Sequence, residues 1–323
     1  MEKINGIVGR VVGEAKQKTK EVKTGLMIKQ ERGEKVAVEQ NVLDASIIFN
    51  TTEEERKRGV VERWVDKEKT KYMKLFARVE GELVKVEDLN LFLGCFLLLK
   101  HARVKVNKYT VETNYSQIVE LLLLTDAGIN YENIKEGLNR LVTNSVETNF
   151  WFDTISGERI VKSEFHFLDR VDKGEVEKLR IRINPEIVDS MEKGYLKVLE
   201  EKKLIKMLRL KGYAKVLALL FAKKIGIDQE KTYTISYSLE LLGLKEKYEE
   251  YNERERNDYL KRVIIPAVSQ AADVLGYTIR IFVPNYRGEE IMVYPQRQKS
   301  KHYDLISGKV VFEKKQLELF GNA

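Results

Sequence analysis

Between Asn252 and Arg262 the chain reads Asn-Glu-Arg-Glu-Arg-Asn-Asp-Tyr-Leu-Lys-Arg. Arg and Lys donate paired hydrogen bonds to guanine, and Asn and Gln pair with adenine, so these residue types suit the reading of base edges. On a helix Arg254, Asn257 and Lys261 share one face. Arg256 and Arg262 flank it, placed for phosphates or a second groove edge. Leu260, Ile264, Ala267, Val268 and Ala271 form an apolar stripe on the same segment, as expected of a helix docked on a core. A plainer reading is a solvated face on which Glu253 and Glu255 pair with the arginines. A second, less basic set is Asn133, Lys135, Asn139 and Arg140, opposed by Glu132 and Glu136. Lys162, Arg287 and Arg297 lie in strand-and-turn regions, where cations position a protein on phosphates rather than specify sequence.

Other chemistries find few residues. The three histidines, His101, His166 and His302, are not spaced as a metal pair, and no His-x-His occurs. His166 lies between Phe165 and Phe167 on a strand-like run, where a structural role is expected. No Walker A loop, G-x-S-x-G or H-E-x-x-H is present. The expectation is a protein that is not an enzyme, with no metal and no cofactor.

Composition agrees with a polyanionic partner without demanding one. Lys plus Arg number 57 against 50 Asp plus Glu, a net charge of +7 over 323 residues. The length suits about two domains. The single cysteine, Cys95, rules out a disulfide framework and a thiolate-rich zinc site. It sits in the apolar run Leu91 to Leu99, too short to span a bilayer, and is expected to be a small buried hydrophobe. No signal peptide opens the chain, so a soluble cytoplasmic protein with no membrane partner is expected.

These segments must be positioned by a fold, and the chain offers one pattern twice. In 85–194, Asp88 opens a helix to His101, Tyr109 to Thr113 favours a strand, and Ser116 caps a short helix. A Gly-bearing turn leads to a helix over 131–143, and strands follow over 145–152, 158–168 and 178–183. In 195–297 a helix over 213–224, a strand at Tyr233 to Ile235, a capped helix, a long helix over 252–275 and strands over 277–284 and 290–294 repeat the order. Helix, turn, helix and hairpin make a winged helix. The expected class is α+β, two tandem winged-helix domains joined by a long helix over 185–210. An N-terminal arm covers 1–84, with a helix near Glu53 to Trp64, and a C-terminal tail covers 298–323.

The second half carries a resemblance. Tyr213-Ala214-Lys215-Val216-Leu217, Thr232 to Ser236, Leu239-Glu240-Leu241-Leu242-Gly243-Leu244 and Tyr259 to Ala267 resemble the C-terminal domain of theta-type plasmid replication initiators. Lys215 stands where that family usually has Arg, and Tyr259 where it has Phe. Residues 178–195 are similar to the family's step between domains, and the likeness extends loosely over 113–295. It implies binding of double-stranded DNA at direct repeats of an origin, recruitment of host replication proteins, and dimerisation through the first domain.

The tail adds an independent feature. Gln316-Leu317-Glu318-Leu319-Phe320 matches the bacterial sliding-clamp peptide: Gln316 bonds the pocket rim, while Leu317, Leu319 and Phe320 fill apolar subsites. The alternatives are a winged-helix transcriptional regulator, which more often has one reading head and no clamp peptide, and a phage replication protein. A primase or nicking enzyme lacks its metal-binding pair here.

Overall fold

The computed structural model of the chain describes residues 35–66, 68–77, 82–101, 105–122, 124, 128–150, 163–174, 178–225, 230–285, 287–292 and 305–314. The chain enters with β1 (Lys35–Glu39), α1 (Gln40–Ala45), a 3-10 turn (Ser46–Phe49), α2 (Glu53–Arg58), β2 (Val60–Trp64) and β3 (Tyr72–Ala77). Then come α3 (Asp88–His101), β4 (Lys105–Asn107), β5 (Thr110–Asn114), α4 (Tyr115–Leu121), α5 (Gly128–Thr143), β6 (Asn144–Thr148), β7 (Ser163–His166), β8 (Leu168–Lys173) and β9 (Lys178–Ile183). The elements α6 (Pro185–Glu192), β10 (Leu196–Glu200) and α7 (Glu201–Arg209) lead onward. The last set is α8 (Gly212–Lys224), β11 (Lys231–Thr234), α9 (Ile235–Leu241), α10 (Lys245–Glu250), α11 (Glu253–Tyr259), a π turn (Leu260–Ile264), α12 (Ile265–Leu275), β12 (Tyr277–Pro284), β13 (Glu290–Met292) and β14 (Lys309–Lys314).

Strand pairing makes the two halves copies of one plan. In the first, β5 pairs with β9 and β9 with β8, all antiparallel. In the second, β11 pairs with β14 and β14 with β12, also antiparallel. In each half the first of these strands runs into a helix capped by its own last residue. Asn114 Oδ1 accepts from Gln117 N at 2.8 Å, and Thr234 Oγ1 from Tyr237 N at 3.1 Å. A short polar side chain at that position fills an orphan helical donor, which fixes the strand-to-helix corner. Asn114 thus takes the capping place expected of Ser116. Both halves are winged helices, in tandem. In β9 the alternation Lys-Leu-Arg-Ile-Arg-Ile buries Leu179, Ile181 and Ile183 and exposes Lys178, Arg180 and Arg182.

Four sequence expectations are corrected. Residues 35–77 are built into the body and are not an arm: β1 pairs with β10, and β2 and β3 join β6 and β7 in one sheet. Phe49 packs against Phe167 at 4.8 Å, which itself lies 4.9 Å from Phe92. The expected helix near Glu53 to Trp64 stops at Arg58, because Gly59 takes φ +69° and the β-branched run after it pairs as a strand. The single helix expected over 185–210 is two helices around β10, broken at Gly194 with φ +94°. The tail expected from 298 contains β14, the central strand of the second wing, whose Phe312 packs at a tilt against Phe221, ring centroids 4.6 Å apart.

Cys95 is buried, and its thiol donates to the Leu91 carbonyl at 3.2 Å. Burial pushes that thiol up to about 12, as an apolar site does to any thiol.

Candidate nucleic-acid interface

In the second head the helix begins with a capping box. Glu255 N donates to Asn252 Oδ1 at 3.0 Å, and Asn252 N donates to Glu255 Oε2 at 2.9 Å. The cap sets where the helix starts and engages Glu255, one of the two carboxylates that the plainer reading paired with arginines. Leu260, Ile264, Ala267, Val268 and Ala271 are all buried, so the apolar stripe seats the helix. On the other side Arg254, Lys261 and Arg262 are exposed, Arg262 at 80% of its side chain. Arg254 and Lys261 form no ion pair among the described residues, and Arg262 only approaches Asp258 at 3.9 Å. Asn257 is half-buried.

Arg256 does not join them. Its Nε donates to the Tyr248 carbonyl at 3.1 Å, its Nη2 donates to the Glu249 carbonyl, and its guanidinium lies over the Tyr248 ring at 5.7 Å. The reason is α10, a helix the sequence reading left out. Its last carbonyls lack intrahelical donors, and Arg256 supplies them.

In the first head Asn133, Lys135 and Asn139 are exposed on α5. Lys135 leans back to Glu132 at 3.2 Å. Arg140 turns the other way and is 9% exposed. Its Nε and Nη2 donate to Asp88 Oδ2 and Oδ1 at 2.7 and 2.9 Å. Burial works against the Arg140 charge, but the hydrogen bond and charge of Asp88 override it and hold the group above its ordinary value. Asp88, expected only to open a helix, therefore ties α3 to α5. Gly137 allows that approach, since a Cβ there would meet Leu91 Cδ1 at 2.4 Å and Asp88 Oδ1 at 2.6 Å. Arg140 is thus a packing residue, with its donors turned away from the exposed face.

The wings carry further cations. Arg287 is exposed at the β12–β13 turn, where Asn285 Oδ1 accepts from Arg287 N and Glu289 N at 2.8 and 3.0 Å. Lys162, Arg297 and the tail residues Gln316, Leu317, Leu319 and Phe320 lie outside the described residues. In the first wing Arg170, Lys178, Arg180 and Arg182 are exposed, a row the sequence reading passed over. Its signal was the every-second-residue charge of β9. Carboxylates temper the row: Arg180 reaches half-buried Glu112 at 3.1 Å and Arg182 reaches exposed Asp169 at 3.1 Å. Such solvated pairs are weak and exchangeable. His166 sits on β7 with Nδ1 3.0 Å from the Asn144 carbonyl.

Among the described residues no cluster of His, Cys, Asp or Glu is arranged to hold a metal, and no helix is long and apolar enough to cross a membrane. No protein-family model matches the sequence. No curated protein matches it either. Solved structures do. Domains 2 and 3 of RctB superpose with a TM-score of 0.54 at 12% identity, over 85% of this chain and 99% of that one. This chain has their fold. A second structure of RctB domains 2-3 aligns at TM-score 0.45 and 13% identity, over 79% of this chain and 91% of that one. A Pi initiator protein solved in complex with iteron DNA aligns at TM-score 0.48 and 10% identity, over 86% of this chain and 96% of that one.

Proposed function

We propose that this chain is a replication initiator that binds double-stranded DNA at direct repeats of an origin, acting by binding and not by catalysis. The observation that carries this reading is the second head's helix. Its apolar stripe is buried while Arg254, Lys261 and Arg262 stand exposed, next to a wing with Arg287 at its turn. A helix seated in this way presents its free face to a major groove, and a hairpin beside it reaches the neighbouring backbone. The first head repeats the plan with amides and one cation, Asn133, Lys135 and Asn139. Weaker base reading is expected there, with the first wing's arginines on phosphates. The origin and its repeats come from the likeness of 213–267 to theta-type plasmid initiators, and the shared fold of RctB domains 2 and 3 is compatible with it.

Recruitment of host replication proteins is part of the same proposal. Residues 316–320 are assigned to the sliding clamp on their sequence alone, and dimerisation through the first head rests on the family resemblance. Footprinting of the DNA flanking the gene tests the central claim. Protection of short direct repeats beside an A·T-rich stretch, together with replication of a circle that carries them, is the expected result. Binding indifferent to the repeats would sink the initiator reading, and protection of a promoter without replication would replace it with a transcriptional regulator. For the tail, Leu319→Ala with Phe320→Ala should abolish capture of the clamp and leave DNA affinity unchanged.

A further inference from the structure

We propose that Pro266 sets the reading register of the second head, through a π turn that fixes the angle between the two halves of its exposed helix. The turn spans Leu260–Ile264, and Ile265 N donates to the Leu260 carbonyl, five residues back. Its cause is chemical. Pro266 has no N–H, so the carbonyl of Arg262 loses its i+4 donor and the ladder opens by one residue. A π turn is an α-helix with one residue inserted, and one residue is about 100° of rotation.

Each half has its own anchor. Upstream, Arg256 binds the end of α10, and Tyr259 packs on Tyr248 and Tyr251 at 6.4 and 5.6 Å. Downstream, α12 packs on α8, and its Val268, Ala271, Ala272 and Leu275 are buried. Leu260 and Ile265 are both buried, at 0% and 4% exposure. On an unbroken α-helix, residues five apart point about 140° away from each other. The inserted residue lets both face the core. It also decides where Arg254 and Asn257 lie relative to Lys261 and Arg262, which sit within the turn itself. Pro266 is therefore a positioning residue for base reading. With an unbroken ladder, one half would rotate off its anchor and carry its polar side chains to different base edges.

This inference rests on the DNA-binding reading, and the test separates the two. Wild-type protein, Pro266→Ala, and Pro266→Ala with Val263 removed are each offered randomised duplexes. Bound sequences are selected, and affinity for the wild-type site and for an unrelated duplex is measured. Pro266→Ala should select a changed sequence and bind the wild-type site about tenfold or more weakly, the loss of one good base contact. Its affinity for the unrelated duplex and its salt dependence should not move. Removing Val263 takes out the inserted residue, so an ordinary α ladder again places Leu260 over Ile265, and preference for the wild-type site should return. A folded Pro266→Ala variant with unaltered selection would overturn the inference. So would equal losses on both duplexes, or no rescue by the deletion. A wild-type chain that selects no sequence at all would instead remove the DNA reading beneath it.

Discussion

Arg63 lies against Gly243 so closely that a methyl group there would sit 2.5 Å from the Arg63 Cζ. Gly243 closes α9 with φ +66°, within the helix pair of the second head. Arg63 belongs to β2, in the segment read from sequence as an arm. The same guanidinium donates to Glu55 Oε1 and Oε2 at 2.7 and 2.9 Å and to the Asn50 carbonyl at 3.1 Å. Asn50 in turn donates to the Leu242 carbonyl at 2.7 Å, and Lys223 of α8 pairs with Asp44. The N-terminal segment thus braces the turn that holds the reading helix.

Gly243→Ala should destabilise the protein for two separable reasons. The left-handed backbone costs a non-glycine residue about 1–2 kcal/mol wherever it occurs. The collision with Arg63 adds to that only while Arg63 is present. Denaturant unfolding of Gly243→Ala, Arg63→Met and the double variant makes a cycle. The glycine change should cost clearly less in the Arg63→Met background. Strictly additive losses would show that the contact carries no energy.

Arg140 should matter for folding and not for reading. Arg140→Met leaves Asp88 buried without its bidentate partner, a change that costs about 3–5 kcal/mol for such pairs. At a temperature where the variant is still folded, its preference among DNA sequences should be that of the wild type. Asn133→Ala with Asn139→Ala should do the opposite, leaving stability within about 0.5 kcal/mol and lowering specific affinity. A shifted site preference in folded Arg140→Met would return that residue to the interface.

The repeat of helix, strand, helix, helix and wing was legible because each piece has local signals: Asp88 at a helix start, the alternation of β9, the Asn285-to-Gly288 turn. What escaped was non-local. The strand β10 reads Leu-Lys-Val-Leu-Glu without sustained burial alternation and is a strand because it pairs with β1, Lys197 with Val38 and Leu196 with Glu39. Arg140 and Arg256 look like groove cations in sequence. Their fates depend on Asp88, fifty-two positions away, and on the carbonyls of α10. Helical spacing picks out a face, but it cannot tell which cation on its border folds back to a buried acceptor.

Phe312→Ala tests whether the strand found beyond 298 holds the second head together. Phe312 is 0% exposed and packs against the Phe221 ring at a tilt and the Tyr233 ring edge-on, from the strand between β11 and β12. Loss of a buried phenylalanine costs about 3–5 kcal/mol. Thermal unfolding should fall accordingly, and a loss under 1 kcal/mol would mean that β14 adds little to the head.

Lys215 gives a pH signature. It lies on α8 at 4% exposure, and burial brings its ammonium down to about 8, against a smaller opposing pull from Glu87. The unfolded chain keeps the ordinary value of 10.5. Between the two values the unfolded state holds more protons, so stability rises with pH through this window and is lost as pH falls through 8. Lys215→Met should stabilise the protein at pH 7 by roughly 3 kcal/mol and flatten the rise between pH 8 and 10. An unchanged slope would show that the ammonium reaches water.

The exposed cations of the second head should divide by what they touch. Each Lys or Arg on a phosphate releases about one counterion, so its loss lowers the salt slope by about 1 for all sequences alike. A cation on a base edge is worth ~1–3 kcal/mol at its own site and nothing elsewhere. Lys261→Ala and Arg262→Ala lie in the π turn, within the face that a groove-docked helix presents. Each should weaken specific binding while leaving binding to unrelated duplex nearly unchanged. Arg287→Ala, at the wing, should weaken both together and reduce the slope. Titrations at several salt concentrations separate these outcomes. If Lys261 and Arg262 behave as Arg287 does, the helix rides on the backbone and the base reading belongs to another element.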